Sequence, residues 1–115
     1  MKIYEEETGL TNFTKEERIA NLEKAMQMRK ERAELRSQLA SGVLTVRDLI
    51  NIAERGDKAA SGMRVKQMIS ALPGYGFKKT QALMHALSIA ESKRVGGLGV
   101  NQAHALIEKL DGVAL

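Results

Sequence analysis

From residue 14 onward the apolar residues recur at helical spacing, and nowhere do they alternate with polar ones in the two-residue rhythm of a strand. Val65, Met68, Ile69 and Leu72 mark one buried face at i, i+3, i+4, i+7, and Thr80, Leu83, Met84 and Leu87 mark a second. The stretch between them, Leu72-Pro73-Gly74-Tyr75-Gly76-Phe77-Lys78-Lys79, holds the only proline of the chain. Pro73 lacks an N–H and biases Leu72 away from the helical region, while Gly74 and Gly76 can both take positive φ. The pattern predicts a helix over about Met63 to Leu72, a tight turn, and a new helix opening at Phe77.

The same signals mark the remaining elements. Thr14 and Glu17 form a T-x-x-E capping box ahead of a segment with no Gly or Pro until Gly42, which predicts one long helix over about residues 15 to 40. Its first half, with Ile19, Leu22 and Met26, is expected to pack. Thr45 and Asp48 cap a short amphipathic helix carrying Val46, Leu49, Ile50 and Ala53 and ending at Gly56, and a loop is expected from Asp57 to Gly62. Ser88 to Gly99 reads as a second irregular stretch. A last helix from Val100 to about Leu110 carries Ala103, Leu106, Ile107 and Leu110. The expected fold class is all-α, divided into an N-terminal arm (1–13) tacked down by Tyr4, Leu10 and Phe13, a long helix (14–41) and a small helical domain (42–115).

Composition narrows the chemistry. Hydrophobic residues make up 43% of the chain but aromatic ones only 3%, so the core must be built from Leu, Ile, Val, Met and Ala, with Met63, Met68 and Met84 as fillers. There is no cysteine, which excludes disulfides and thiolate metal sites. His85 and His104 are isolated beside apolar stripes, and no Ser/His/Asp constellation exists; Glu91, Glu108 and Asp111 do not cluster. No enzymatic activity, metal or cofactor is expected, nor a small-molecule substrate. No apolar run reaches the roughly 20 residues of a membrane span, and Glu5, Glu6 and Glu7 do not fit a signal peptide, so no membrane partner and a cytoplasmic location are expected.

Charge is distributed unevenly. The formal net charge is +4, with ten basic against eleven acidic residues over 1–57 and eight against three over 58–115. Between Lys58 and Arg94 the only acid is Glu91. Such a surface suits a polyanion, although a merely solvated basic face has the same composition. The glycine turn favours the polyanion, because the free N–H groups of Phe77, Lys78 and Lys79 at a helix start would accept an anion, and the two ammonium groups add to it. Apolar residues, Pro-Gly-x-Gly, then paired lysines form the pattern of a helix-hairpin-helix phosphate clamp; a dinucleotide or Walker loop does not fit the spacing. Lys93-Arg94, ahead of Gly96, Gly97 and Gly99, are suited to neighbouring phosphates or to the preceding helix dipole. Tyr75 and Phe77 at the tip either pack inward or lie against a sugar or base. Arg29, Arg32 and Arg36 lie on nearly one face of the long helix, either as a solvated face held by Glu–Arg pairs or as a second phosphate contact.

Ala71-Leu72-Pro73-Gly74-Tyr75-Gly76, Lys78-Lys79, Ile89-Ala90, Lys93-Arg94-Val95, Gly97-Leu98-Gly99, Gln102 and Leu106 together resemble the actinobacterial integration host factor family, and Arg32-Ala33-Glu34-Leu35 is similar to the end of that family's long helix. The resemblance covers most of the chain. It implies a helix-two-turns-helix domain that binds double-stranded DNA with little sequence preference, bends or compacts it, and serves phage integration and chromosome organisation in the nucleoid; a monomer is expected in the absence of DNA. By position it implies that Gly74, Gly76, Lys78, Lys79, Lys93 and Arg94 grip the backbone, with Tyr75, Phe77, Gly97 and Gly99 in the same loops. Two positions depart from the family pattern: Thr80 replaces a small residue, putting the packing of the two helices in question, and Gly96 replaces a basic one. An RNA-binding ribosomal protein shares the two-turn motif and a Lys-Arg-Val phrase, but carries a long basic tail where this chain ends in Asp111-Gly112-Val113-Ala114-Leu115. A helical protein-interaction module is the alternative of a different class.

Overall fold

The computed structural model describes residues 14–112. The arm over 1–13, with Tyr4, Leu10 and Phe13, and the last three residues lie outside the described range. Among the described residues six α-helices succeed one another: α1 Lys15–Ser41, α2 Val46–Glu54, α3 Lys58–Gly62, α4 Val65–Ser70, α5 Phe77–Ala86 and α6 Val100–Leu110, with a 3-10 turn at Val95–Gly97. The described residues are otherwise turn and coil, apart from one isolated backbone bridge between Arg64 and Arg94.

The chain divides into two units, residues 1–30 and 31–115. In the first, the predicted capping box opens α1: Glu17 N–H donates to Thr14 Oγ1 (3.0 Å) and Thr14 N–H to Glu17 Oε1 (2.8 Å). The expectation that this half packs through Ile19, Leu22 and Met26 is not met, since they are 49%, 58% and 54% exposed. Three apolar residues among Lys, Glu and Arg bury too little to organise a core; the segment is helical through the propensities of Ala, Glu, Lys, Leu and Met.

The second unit holds the core. Leu39 near the end of α1 is its first fully buried residue, followed by Val46, Leu49, Ile50, Ala60, Met63, Val65, Met68, Ile69, Met84, Ile89, Val95, Leu106 and Ile107. The core is aliphatic, as the composition requires. Gly42 ends α1 at φ +84, and Thr45 with Asp48 forms the predicted box at α2. A second closure was not legible in sequence: Asp111, just past α6, accepts the N–H groups of Val46 and Arg47 at 3.0 and 2.9 Å. A carboxylate thus sits on the positive end of α2 and ties the last element to the first of the core.

Two expected boundaries are corrected. The loop expected at Asp57–Gly62 is helix α3, because Asp57 accepts the N–H of Ala60 (2.9 Å) and Ala59 and Ala60 are buried. The helix expected from Met63 to Leu72 is confined to Val65–Ser70. Met63 and Arg64 are extended instead, because Val95 N–H donates to Met63 O (2.8 Å) and Val65 N–H to Lys93 O (2.9 Å). Thr80, the substitution that put helix packing in question, is 2% exposed with its hydroxyl 3.3 Å from Ser70 Oγ. Its hydroxyl is thereby satisfied where α4 and α5 meet.

Candidate nucleic-acid interface

The first turn is set by its proline and glycine. Tyr75 N–H donates to Leu72 O at 3.2 Å across Pro73 and Gly74, and Gly74 is at φ +85. Pro at the second position and a positive-φ glycine at the third are the requirements of a type II turn. Gly76 differs from the expectation that both glycines take positive φ: it is extended, at φ −83 and ψ −172, as the N-cap of α5. The turn needs only one left-handed residue, and helix entry from an extended residue supplies the rest of the reversal.

Helix α5 therefore starts open. Thr80 N–H reaches Gly76 O (3.0 Å) as the first bond of α5, leaving the N–H groups of Phe77, Lys78 and Lys79 outside the helical ladder. Gly76 offers no side-chain cap, and the first turn holds no acid. The lysines there oppose the helix dipole, an arrangement that a bound anion relieves. Lys79 Nζ stands 4.9 Å from the Tyr75 ring centroid, which fixes the ammonium over the tip of the turn. Tyr75 packs against the core cluster, whereas Phe77 is 73% exposed. The two aromatics therefore divide the roles left open between them: Tyr75 anchors and Phe77 faces outward.

The second turn is built on the Arg64–Arg94 bridge. Lys93 Nζ donates to Gly97 O at 3.3 Å, and Arg94 Nη1 donates to Gly62 O. Gly97 N–H is taken by Arg94 O and Gly99 N–H by Gln102 Oε1, so these two glycines use their own donors within the fold. Gly96 has a packing reason: a Cβ there would lie 2.8 Å from Ser61 Cβ and 3.1 Å from Ser61 O. Gly99 then caps α6, whose first turn is a second helix start without an acid.

The two turns bracket α4. Lys93 and Arg94 meet the chain just before Val65, and the Pro-Gly turn comes after Ser70, so six residues of helix, about 9 Å, separate the two basic elements. Lys66 is exposed on α4 between them. Of the long-helix arginines, Arg29 is exposed in the first unit, while Arg32 and Arg36 belong to the second and are half-buried. Arg32 Nε donates to Ala59 O at 3.2 Å. Arg36 lines an open groove with Ala33, Lys66, Ser70, Ala71 and Phe77. Arg64, absent from the sequence expectations, is brought beside Arg94 by a contact thirty residues away in the chain; no local spacing announces it. His85 and His104 are exposed, and no group of three or more His, Cys, Asp or Glu that could hold a metal occurs among the described residues. No described helix is long and apolar enough to cross a membrane.

The chain is similar to known proteins in sequence and in fold. A family profile described as an S13-like H2TH domain matches residues 39–110. The chain is 40% identical over 103 residues to the integration host factor of Mycolicibacterium smegmatis, covering 90% of this chain and 97% of that protein. It is 40% identical to the integration host factor of Mycobacterium tuberculosis (88% of this chain, 95% of that protein) and 37% identical to that of Streptomyces coelicolor (85% and 91%). Among solved structures, that of sIHF bound to an 8 bp palindromic DNA is similar with a TM-score of 0.73 at 33% identity, covering 76% of this chain and 98% of the other.

Proposed function

Because this chain belongs to the integration host factor family, with an S13-like H2TH domain over residues 39–110, we propose that it is a non-enzymatic nucleoid protein that binds duplex DNA. The observation that carries the proposal is the uncapped start of α5, free of acids and flanked by Lys78 and Lys79, with Lys93 and Arg94 at the opposite end of α4. Backbone N–H groups and lysines so arranged take successive phosphates of one strand, holding register without reading bases. The description of sIHF as bound to a short palindromic duplex supports DNA as the partner.

Each turn contributes in its own way. Phe77, exposed beside the first grip, lies against the minor-groove wall while Tyr75 keeps the turn rigid. Gly74 and Gly76 shape that grip, and Gly97 and Gly99 shape the second. Binding dominated by phosphates gives little sequence preference, and two grips at the ends of one short helix favour bent DNA, which serves recombination and chromosome compaction. The protein works in the cytoplasm as a monomer until DNA is bound.

The test is a competition experiment. A labelled mixed-sequence duplex is displaced by unlabelled duplexes of unrelated sequence and by a structured RNA, and end-labelled duplex is followed by energy transfer for bending. Equal displacement by any duplex, weak displacement by RNA and shortened end-to-end distance are expected. Preferential displacement by RNA would transfer the site to an RNA ligand, and the absence of any duplex binding would overturn the proposal.

A further inference from the structure

Two arginines meet at one residue, Gly62, and a third is paired with one of them. Arg32 Nη2 lies 2.7 Å from the point that a Cβ on Gly62 would occupy, and Arg94 Nη1 donates to Gly62 O. Arg64, two residues on, is bridged to Arg94 by the paired bonds Val65 N–H to Lys93 O (2.9 Å) and Val95 N–H to Met63 O (2.8 Å). In that pattern Arg64 and Arg94 are themselves the non-hydrogen-bonded pair, the closer of the two antiparallel arrangements, with both side chains leaving the ladder on one side. Like charges directly opposite are unfavourable. No carboxylate pairs with any of the three among the described residues; the partners of Arg32 and Arg94 are neutral carbonyls of α3.

Capping the end of α3 accounts for one donor of each of those two guanidinium groups and for nothing at Arg64. Each guanidinium carries five donors, so most remain free. Two guanidinium groups held at a bare glycine, with a third arginine directly opposite one of them and no carboxylate compensating any of the three among the described residues, fit the oxygens of a phosphate.

We infer that Arg32 and Arg94 at Gly62, with Arg64 opposite Arg94, form a phosphate site that acts as a further grip on the DNA backbone adjoining the second turn. This rests on the reading of the protein as a duplex binder. It assigns Arg32 to a preformed anion site in the helical domain rather than to a stripe along α1, and it adds Arg64, whose guanidinium has no carboxylate partner within the described fold.

The experiment measures duplex binding by fluorescence anisotropy from 50 to 300 mM salt, with thermal melting in parallel, for the wild type, Arg64→Gln, Arg64→Lys, Gly62→Ala and Lys79→Ala. Loss of one phosphate contact lowers the magnitude of the log K against log salt slope by about 0.9 and weakens binding about eightfold at 0.1 M salt. Arg64→Gln should show both with a melting temperature no lower than wild type, and Arg64→Lys should restore the slope. Gly62→Ala keeps every charge but displaces the Arg32 guanidinium, so it should weaken binding at unchanged net charge. A wild-type slope in Arg64→Gln, alongside a flattened slope in Lys79→Ala, would overturn the inference and leave the duplex reading standing. Absence of wild-type duplex binding would remove both. Saturable binding of inorganic phosphate, abolished by Arg64→Gln while duplex affinity is untouched, would give the site to a free anion and likewise overturn it.

Discussion

Gly74 and Gly76 look interchangeable in the sequence, yet replacing each with alanine should do opposite things. A methyl at either position meets no atom within 4 Å, so the backbone decides. Gly74 is at φ +85, where an L-residue costs roughly 1–2 kcal/mol. For a domain of this size that lowers the melting temperature by roughly 5–15 °C. Gly76, at φ −83 and ψ −172, is in a conformation alanine adopts freely. Restricting the unfolded chain then gains about 0.4–1 kcal/mol, which the poorer N-cap quality of alanine offsets by a similar amount. Net stability should stay within about 0.5 kcal/mol of wild type. Binding should respond the other way, because the Gly76 methyl stands at the opening of α5, where the proposed function has the N–H groups of Phe77, Lys78 and Lys79 take a phosphate. Losing one charge-assisted hydrogen bond is worth about 1.5–3 kcal/mol, tenfold or more in Kd. Urea denaturation followed by circular dichroism gives the first quantity and duplex anisotropy the second. The reasoning is refuted if Gly76→Ala is destabilised as much as Gly74→Ala, or if it binds duplex as tightly as wild type.

Three further outcomes are expected. Asp111→Ala should cost about 1–2 kcal/mol in urea denaturation by uncovering the N–H groups of Val46 and Arg47, with duplex affinity unchanged because α2 contributes no residue to either turn. Gly96→Ala should destabilise the fold by about 1–3 kcal/mol, since the added methyl meets Ser61 at 2.8 Å; a melting temperature equal to wild type would contradict the assignment of Gly96 to packing. The Asp48 carboxyl is held below its ordinary value by the Thr45 backbone N–H and then the Thr45 hydroxyl. Its contribution is therefore complete above the unfolded carboxylate pKa of about 3.9 and is lost as pH falls through the lower folded value. Chemical denaturation between pH 6 and pH 2 should show a steeper acid loss in wild type than in Asp48→Asn.

Local chemistry made much of this fold legible. Thr14 with Glu17, Thr45 with Asp48, and Pro73 with Gly74 each act within four residues, so their elements could be read directly. What sequence reading missed depends on distant partners. Arg64 is extended because Lys93 and Val95 pair with its neighbours, and Asp111 caps a helix 64 residues earlier. Neither leaves a local pattern. The α3 helix was overlooked because Asp57 and Gly62 are turn-forming residues only five positions apart, and burial of the two alanines between them decides the matter. Ile19, Leu22 and Met26 misled in the other direction, since apolar spacing marks a face without supplying anything to cover it. At the interface, the lysines and the Pro-Gly turn were visible, whereas the inward course of Arg32 and the extended state of Gly76 depend on packing and helix entry.

The most direct test of the central claim is the salt dependence of duplex affinity, measured by anisotropy on a mixed-sequence duplex between 50 and 200 mM. With about four to six phosphates neutralised, the slope of log K against log salt should be roughly −4 to −5, and Lys79→Ala with Arg94→Ala should flatten it in a folded protein. Duplex binding with a slope near zero, or one indifferent to those two residues, would contradict a backbone grip built from the two turns.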